Sequence, residues 1–232
     1  MKLAIMQPYF LPYIGYFQLI SAVDAFVVYD NIKYTKKGWM NRNRYLLNGE
    51  PEVFSIPLAR AGDQLTVVER TLAADFDRAK LLARIEGAYR RAPYFAETFA
   101  WFRGVVEHPE PNLFRFLLHS LEKTCAHLGV KTPFVVSSTL NVDATLKAQD
   151  KVLALCNALG ASHYINPIGG TALYAKEAFA TQGVSLHFLQ ARPLEYAQFG
   201  GSFVPWLSIL DVLMFNPLSA VQAWVSGHYE LS

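Results

Sequence analysis

Short apolar runs alternate along this chain with stretches whose apolar residues recur every three or four positions, predicting strands and helices in turn. Leu3–Met6 and Ala25–Tyr29 have the length of buried strands, and Tyr13–Ser21 between them suits a short helix. Pro8 and Pro12 exclude helix from Gln7–Pro12, because each biases its predecessor towards extended geometry. Strand, loop, helix and strand within about thirty residues make a βαβ unit, and therefore a parallel pair. Weak alternation over Glu52–Pro57 and Leu65–Arg70 predicts a small antiparallel excursion. Three amphipathic helices are predicted next, at Phe76–Arg91, Phe95–Val106 and Asn112–Leu128. Strands then return at Phe134–Ser137, Ser162–Ile165 and Val184–Leu189, alternating with helices at Leu146–Leu159 and Thr171–Gln182. Gly160 and Gly183 occupy C-cap positions. Two short helices, Ser208–Phe215 and Leu218–Val225, complete the pattern.

The pattern predicts an α/β fold: a doubly wound, Rossmann-like parallel sheet in one domain spanning 1–232, with a helical insertion at 71–130 and a helical tail. Ligands of such sheets bind at the carboxyl ends of the strands, where strand order reverses. The loops to inspect are therefore Gln7–Pro12, Asp30–Arg44, Ser137–Thr145 and Asn166–Thr171.

Composition narrows the class. Of 232 residues, 52% are hydrophobic and 17% charged, against about 25% charged in typical soluble domains, which excludes disorder and a coiled coil. A net charge of +2 gives no global attraction to a polyanion. The two cysteines, Cys125 and Cys156, form neither a disulfide framework nor a zinc ligand set and fit a reducing compartment. Leu3–Val23 carries no charge and is long enough for a membrane span. Its two prolines and two glutamines would leave polar groups unpaired in lipid. A cytoplasmic chain without membrane insertion is expected, and the pattern carries no information on its oligomeric state.

The loop after the second strand holds most of the candidate chemistry. Between Asp30 and Glu50 there is no acidic residue, yet Lys33, Lys36, Lys37, Arg42 and Arg44 fall there, interleaved with Trp39, Asn41 and Asn43. Cationic heads, amides and an aromatic ring together suit a phosphate carrying a base or sugar. A solvated basic loop is the plainer account. One short patch is a thin footprint for nucleic acid, so none is expected as a partner. In the first loop, Gln7, Tyr9, Gly15 and Tyr16 surround a helix start, where anions are attracted. An aromatic loop that merely faces the core would look the same. Asn166, Gly169, Gly170 and Thr171 form a second candidate anion cradle, or an ordinary strand-to-helix turn. Asp211 is the sole charged residue from Tyr196 to Ser219. Ser208-x-x-Asp211 fits a capping box, and a buried aspartate could equally hold a side chain of the basic loop. His163 and His187 lie in predicted strands without a third ligand at a recognisable spacing, so no metal is expected.

Several of these segments resemble one family. Gln7-Pro8-x-x-x-Pro12-x-x-Gly15-Tyr16-Phe17, Asp24, Tyr29-Asp30 and Trp39-x-Asn41-Arg42-Asn43-Arg44 resemble the WbqC-like protein family. The resemblance continues through Leu155–Tyr164 and Gly200–Asp211, and so covers most of the chain. It implies a role among bacterial surface-polysaccharide (O-antigen) functions, with glycyl or other acyl transfer to a sugar. The chain departs from the family pattern at Asn166–Gly170, which bears on the substrate. A looser similarity is to nucleotidyltransferases with a His-x-Gly-His motif. Tyr13-Ile14-Gly15-Tyr16 stands in its place, and tyrosines are neutral donors that supply no cation.

The expectation is thus a transferase acting on a nucleotide-activated amino sugar. Asp30 is the candidate base, although five neighbouring cations count against it. Lys33, also a catalytic candidate, would hold phosphate with Lys36, Arg42 and Arg44, while Trp39 stacks a ring and Gln7, Asn41 and Asn43 orient the acceptor. No resident cofactor is expected; a nucleotide-linked substrate and an acyl donor or carrier are the implied partners. A non-catalytic nucleotide-sugar binder, or a nucleotidyltransferase with a degenerate motif, are the alternatives.

Overall fold

The computed structural model describes residues 1–232. In chain order, β1 (Lys2–Met6), α1 (Ile14–Ser21) and β2 (Ala25–Val28) form the βαβ unit. A hairpin follows, β3 (Arg42–Leu47) with β4 (Glu50–Ser55), and then α2 (Arg78–Tyr89), α3 (Phe95–Val106) and α4 (Leu113–His127). Alternation resumes with β5 (Phe134–Val136), α5 (Ala148–Ala158), β6 (His163–Pro167), α6 (Lys176–Ala180) and β7 (Ser185–Ala191). The last elements are α7 (Ile209–Phe215), α8 (Leu218–Gly227) and β8 (Tyr229–Leu231).

The six-stranded sheet has the order β5-β2-β1-β6-β7-β8. All neighbours are parallel except β7 and β8. From β1 the chain winds outward through β2 to β5, and from β6 it winds the other way, so strand order reverses between β1 and β6. This is a doubly wound α/β sheet, and the reversal marks where its ligands belong. The three helices α2, α3 and α4 lie in sequence between β2 and β5, which are neighbours in the sheet.

The two-residue period of the strands sorts the core. Leu3, Ile5, Ala25 and Val27 face a smaller cluster closed by Leu155 and Cys156 of α5 and Phe179 of α6. Ala4, Phe26 and Val28 face the larger cluster, shared with α1, the helical block and α7. At the far ends of α5 and α6, Gly160 (φ 64°) and Gly183 (φ 74°) take the left-handed cap conformation read from the sequence.

Two expectations fail locally. Leu65–Arg70 does not pair with Glu52–Pro57; β4 pairs instead with β3, and Val67–Glu69 is a 3-10 turn held by a Thr66–Glu69 capping box. The last three residues of the expected basic loop, Arg42, Asn43 and Arg44, are therefore strand. Thr171–Gln182 is no continuous helix, but a 3-10 segment over Ile168–Leu173 followed by the single turn and a half of α6. One element was not anticipated: β8, a short antiparallel edge strand paired with β7.

Candidate functional site

Two cavities straddle the carboxyl edge of the sheet. The larger, about 790 Å³, opens on the α5 side at the ends of β1, β2 and β6. The smaller, about 410 Å³, opens on the α1 side beside the end of β7. Tyr9, in the loop after β1, and Pro167, at the end of β6, line both. The partition between the cavities thus stands at the reversal of strand order.

The larger cavity is cationic. Lys33, Lys147 and Lys151 line it, with no carboxylate or imidazole among its lining side chains. Lys151 is only 4% exposed, and its ammonium donates to the Asp143 carbonyl at 2.8 Å. That bond ties the loop before α5 to the helix. Ala148 at the start of α5 has φ 46°, in the left-handed region, and also lines the cavity. Gln7, Asn31 and Asn166 add amides. Asn166 accepts from the Tyr164 hydroxyl at 3.1 Å, and Gly170 lies so close that a β-carbon there would collide with its amide nitrogen.

The smaller cavity is aromatic. Tyr13, Tyr16, Trp39 and Trp206 contribute rings, and Arg44 the single charge. Tyr13 and Trp206 have ring centroids 5.3 Å apart. Trp39 is flanked by the guanidinium groups of Arg42 and Arg44, each 5.4 Å from its ring centroid. Trp206 is 61% exposed and held at φ 61°, with its carbonyl accepting from Arg44 at 3.0 Å. Burial raises the pKa of Tyr9, Tyr13 and Tyr16, so all three hydroxyls are neutral donors at physiological pH.

The loop between the cavities is clamped. Leu11 has φ 44°, and its carbonyl accepts from Asn43 and from the Ser208 hydroxyl, both at 2.7 Å. Asn43 also donates to the Phe10 carbonyl at 3.0 Å. Two of the five non-glycine residues with positive φ, Ala148 and Trp206, line the two cavities, and a third, Leu11, sits in the clamped loop between them. Such strain persists where surrounding bonds over-determine it, and it gathers at functional sites.

The structure divides the sequence-predicted residues into three groups. Gln7, Tyr9, Lys33, Asn166, Gly169 and Gly170 line the cationic cavity. Gly15, Tyr16, Trp39, Asn43 and Arg44 line the aromatic one with Tyr9. The rest line neither. Lys36 is turned away, in an exposed ion pair with Asp63 at 2.6 Å. Arg42 folds back on the carbonyls of Gly38 and Lys37, and Asn41 is spent between the Tyr34 hydroxyl and the Ile56 carbonyl. Thr171 is exposed outside the cavity.

Asp30 needs the largest correction. It is 1% exposed, and its carboxylate accepts from the Ser137 hydroxyl and from both the amide and hydroxyl of Ser138. It pins the loop after β5 to the end of β2 and does not touch either cavity, so it is a positioning residue. Asp211 likewise takes neither expected role. Ser208 caps α7 through the Leu210 amide, while the Asp211 carboxylate accepts from Tyr89, Tyr196 and Gln198.

Lys147, Lys151 and Asn31 escaped the sequence reading. Two lysines four apart at a helix start look like a solvated face, and only the position of α5 beside the strand reversal turns them inward. Trp206 had a signal, as an aromatic residue just before a predicted helix in an otherwise charge-free segment.

Comparison with known proteins matches the chain to the model of the WbqC-like protein family over residues 7–223. An uncharacterized protein of Mycobacterium tuberculosis, Rv1507c, is 29% identical over 218 residues, which is 93% of each chain. No solved structure matches.

Proposed function

The chain belongs to the WbqC-like protein family, and from that premise we propose that it is a transferase that acts on a nucleotide-activated amino sugar in the assembly of a bacterial surface polysaccharide. The reaction is glycyl or other acyl transfer to the sugar's amine. One observation carries the reading: a cavity holding three lysines and no carboxylate lies at the reversal of strand order. Ammonium groups are effective point charges for phosphate oxygens, and Gln7, Asn31 and Asn166 suit the hydroxyls of a sugar.

In the transfer, the amine nitrogen attacks the acyl carbon. A C–N bond forms, the bond to the leaving group breaks, and the amine proton departs with that group. The amine must be neutral to attack, and neighbouring ammonium groups disfavour its protonated form. N–H donors beside the carbonyl would stabilise the developing oxyanion. Positioning then supplies the remaining acceleration, since no carboxylate or imidazole lines either cavity.

The same lack of a general base favours one second reading, a nucleotide-sugar binder without chemistry. Thermal melts with uridine and thymidine diphosphate amino sugars test both. A ligand at a hundred times its dissociation constant stabilises by about 2.7 kcal/mol. The shift should vanish in Lys151→Met, which keeps the stem and removes the charge. Binding by none of these ligands overturns the proposal. Binding without amide formation, when activated acyl donors are added, selects the second reading.

A further inference from the structure

Arg44 has one side-chain hydrogen bond, to the Trp206 carbonyl, although a guanidinium carries five N–H donors. Its Nε is buried without a partner. The N-terminus of α1 opens onto the same space through Tyr13, Gly15 and Tyr16. Tyr13 at the N-cap makes no side-chain cap, and no acidic residue stands in the first turn. One guanidinium and one helix terminus therefore open onto a volume of about 410 Å³ walled by aromatic and aliphatic groups and the amides of Asn43 and Gln190, with no carboxylate in its lining.

We infer that the aromatic cavity binds an organic monocarboxylate with a ring or short apolar body, beside the nucleotide-sugar of the transfer proposed above. A planar guanidinium pairs a carboxylate through two parallel hydrogen bonds. A single guanidinium aided by a helix end balances about one negative charge. A phosphate dianion would keep uncompensated charge among aromatic rings, an unfavourable burial, and the three lysines next door are its better place. Trp206 and Tyr13 offer faces for the body of the acid. Because Tyr9 and Pro167 wall both cavities, the two ligands meet across them. That adjacency rests on the proposed transfer; the ligand class rests on the cavity alone.

Titration followed by tryptophan fluorescence tests it, with Trp39 and Trp206 as reporters. Two carboxylates distinguish the sources, glucuronate for a sugar acid and benzoylglycine for an acylated amino acid, with glucuronamide and benzoylglycinamide as neutral partners. At least one acid should give a saturable change, with its amide at least tenfold weaker. Arg44→Met should weaken the acid at least tenfold, with Arg44→Lys intermediate and both variants melting as cooperatively as the parent. Trp206→Leu should weaken it while leaving Arg44 in place, whereas Lys151→Met should leave it unchanged. Absence of acid binding, equal binding of acid and amide, or indifference to Arg44→Met overturns the inference. If the acids fail while a nucleotide-sugar binds, this inference falls alone. If the acids bind and no nucleotide-sugar does, the proposed transfer falls and the ligand class of this cavity stands.

Discussion

The Tyr89 hydroxyl donates to the Asp211 carboxylate at 2.8 Å within the core, across 122 positions of sequence. That hydroxyl also accepts from the Leu46 amide at 2.7 Å. Tyr196 and Gln198 donate to the other carboxylate oxygen, each at 2.7 Å, and Gln198 brackets Val204 through two further bonds. One carboxylate without a cation thus ties α2, the β3–β4 hairpin and α7 to the segment that delivers Trp206 to the aromatic cavity.

Asp211→Asn should therefore destabilise the fold and loosen that segment. The amide presents two donors where three donors already converge, leaving buried groups unsatisfied at about 1–3 kcal/mol. Burial raises the pKa of Asp211 above its ordinary 3.8, against the lowering effect of the Tyr196, Tyr89 and Gln198 hydrogen bonds. A carboxyl raised in the folded state contributes stability that is complete below 3.8 and is lost as pH rises through the folded value. Urea denaturation should show the parent's lead over Asp211→Asn shrinking from pH 4 towards pH 7. A lead that grows over that range contradicts the account.

Burial pushes the thiols of Cys125 and Cys156 up to about 12. Thiolate is the reactive form, so neither should react with an aromatic disulfide reagent in the native protein at pH 8. Both should react once urea unfolds the chain. Rapid labelling without denaturant would show that α4 or α5 opens locally.

The sheet was legible because its strands are apolar runs and its helices carry one apolar stripe. The hairpin was not, because the pattern of β3 is misleading: Asn43 faces inward as a clamp on the Phe10 and Leu11 carbonyls, so a buried position reads as polar. Its turn did leave a signal. Asn48 (φ 53°) and Gly49 (φ 83°) form the Asn-Gly pair that two-residue hairpins favour. Of the side chains singled out in the basic loop, only Lys33, Trp39, Asn43 and Arg44 reach the cavities. Charge alone could not separate these from Lys36 and Arg42, whose partners, Asp63 and two backbone carbonyls, come from the fold.

The His108 and His119 rings stack with centroids 3.6 Å apart, and His119 Nε2 is buried without a partner. Desolvation first, then His108 and Lys123, lower the pKa of His119 below 6.5, against an opposing pull from the nearby Gly104 backbone. A depressed imidazole contributes stability present above 6.5 and lost as pH falls through its folded value. The melting temperature should fall between pH 7.5 and 5.5. In His108→Asn, where one source of repulsion is gone, the drop should be smaller. An unchanged drop would place its origin elsewhere.

Gly170 tests whether Asn166 touches the ligand. A β-carbon at 170 would collide with the Asn166 amide nitrogen and lie 3.1 Å from its Cγ. Asn166 is held by Tyr164 at 3.1 Å and by its own bond to the Pro167 carbonyl at 3.2 Å. Gly170→Ala should therefore push the amide out of the cationic cavity and weaken nucleotide-sugar binding about tenfold, or ~1.4 kcal/mol. Gly169→Ala is the control, since nothing lies within 4 Å of a β-carbon there. If the effect runs through Asn166, the Asn166→Ala, Gly170→Ala double variant should bind no worse than Asn166→Ala alone, because residues acting through one contact are not additive. Calorimetric titration of the parent and the four variants measures this. Additive losses would mean that the backbone at 170 meets the ligand directly, and a silent Gly170→Ala would remove Asn166 from the binding surface.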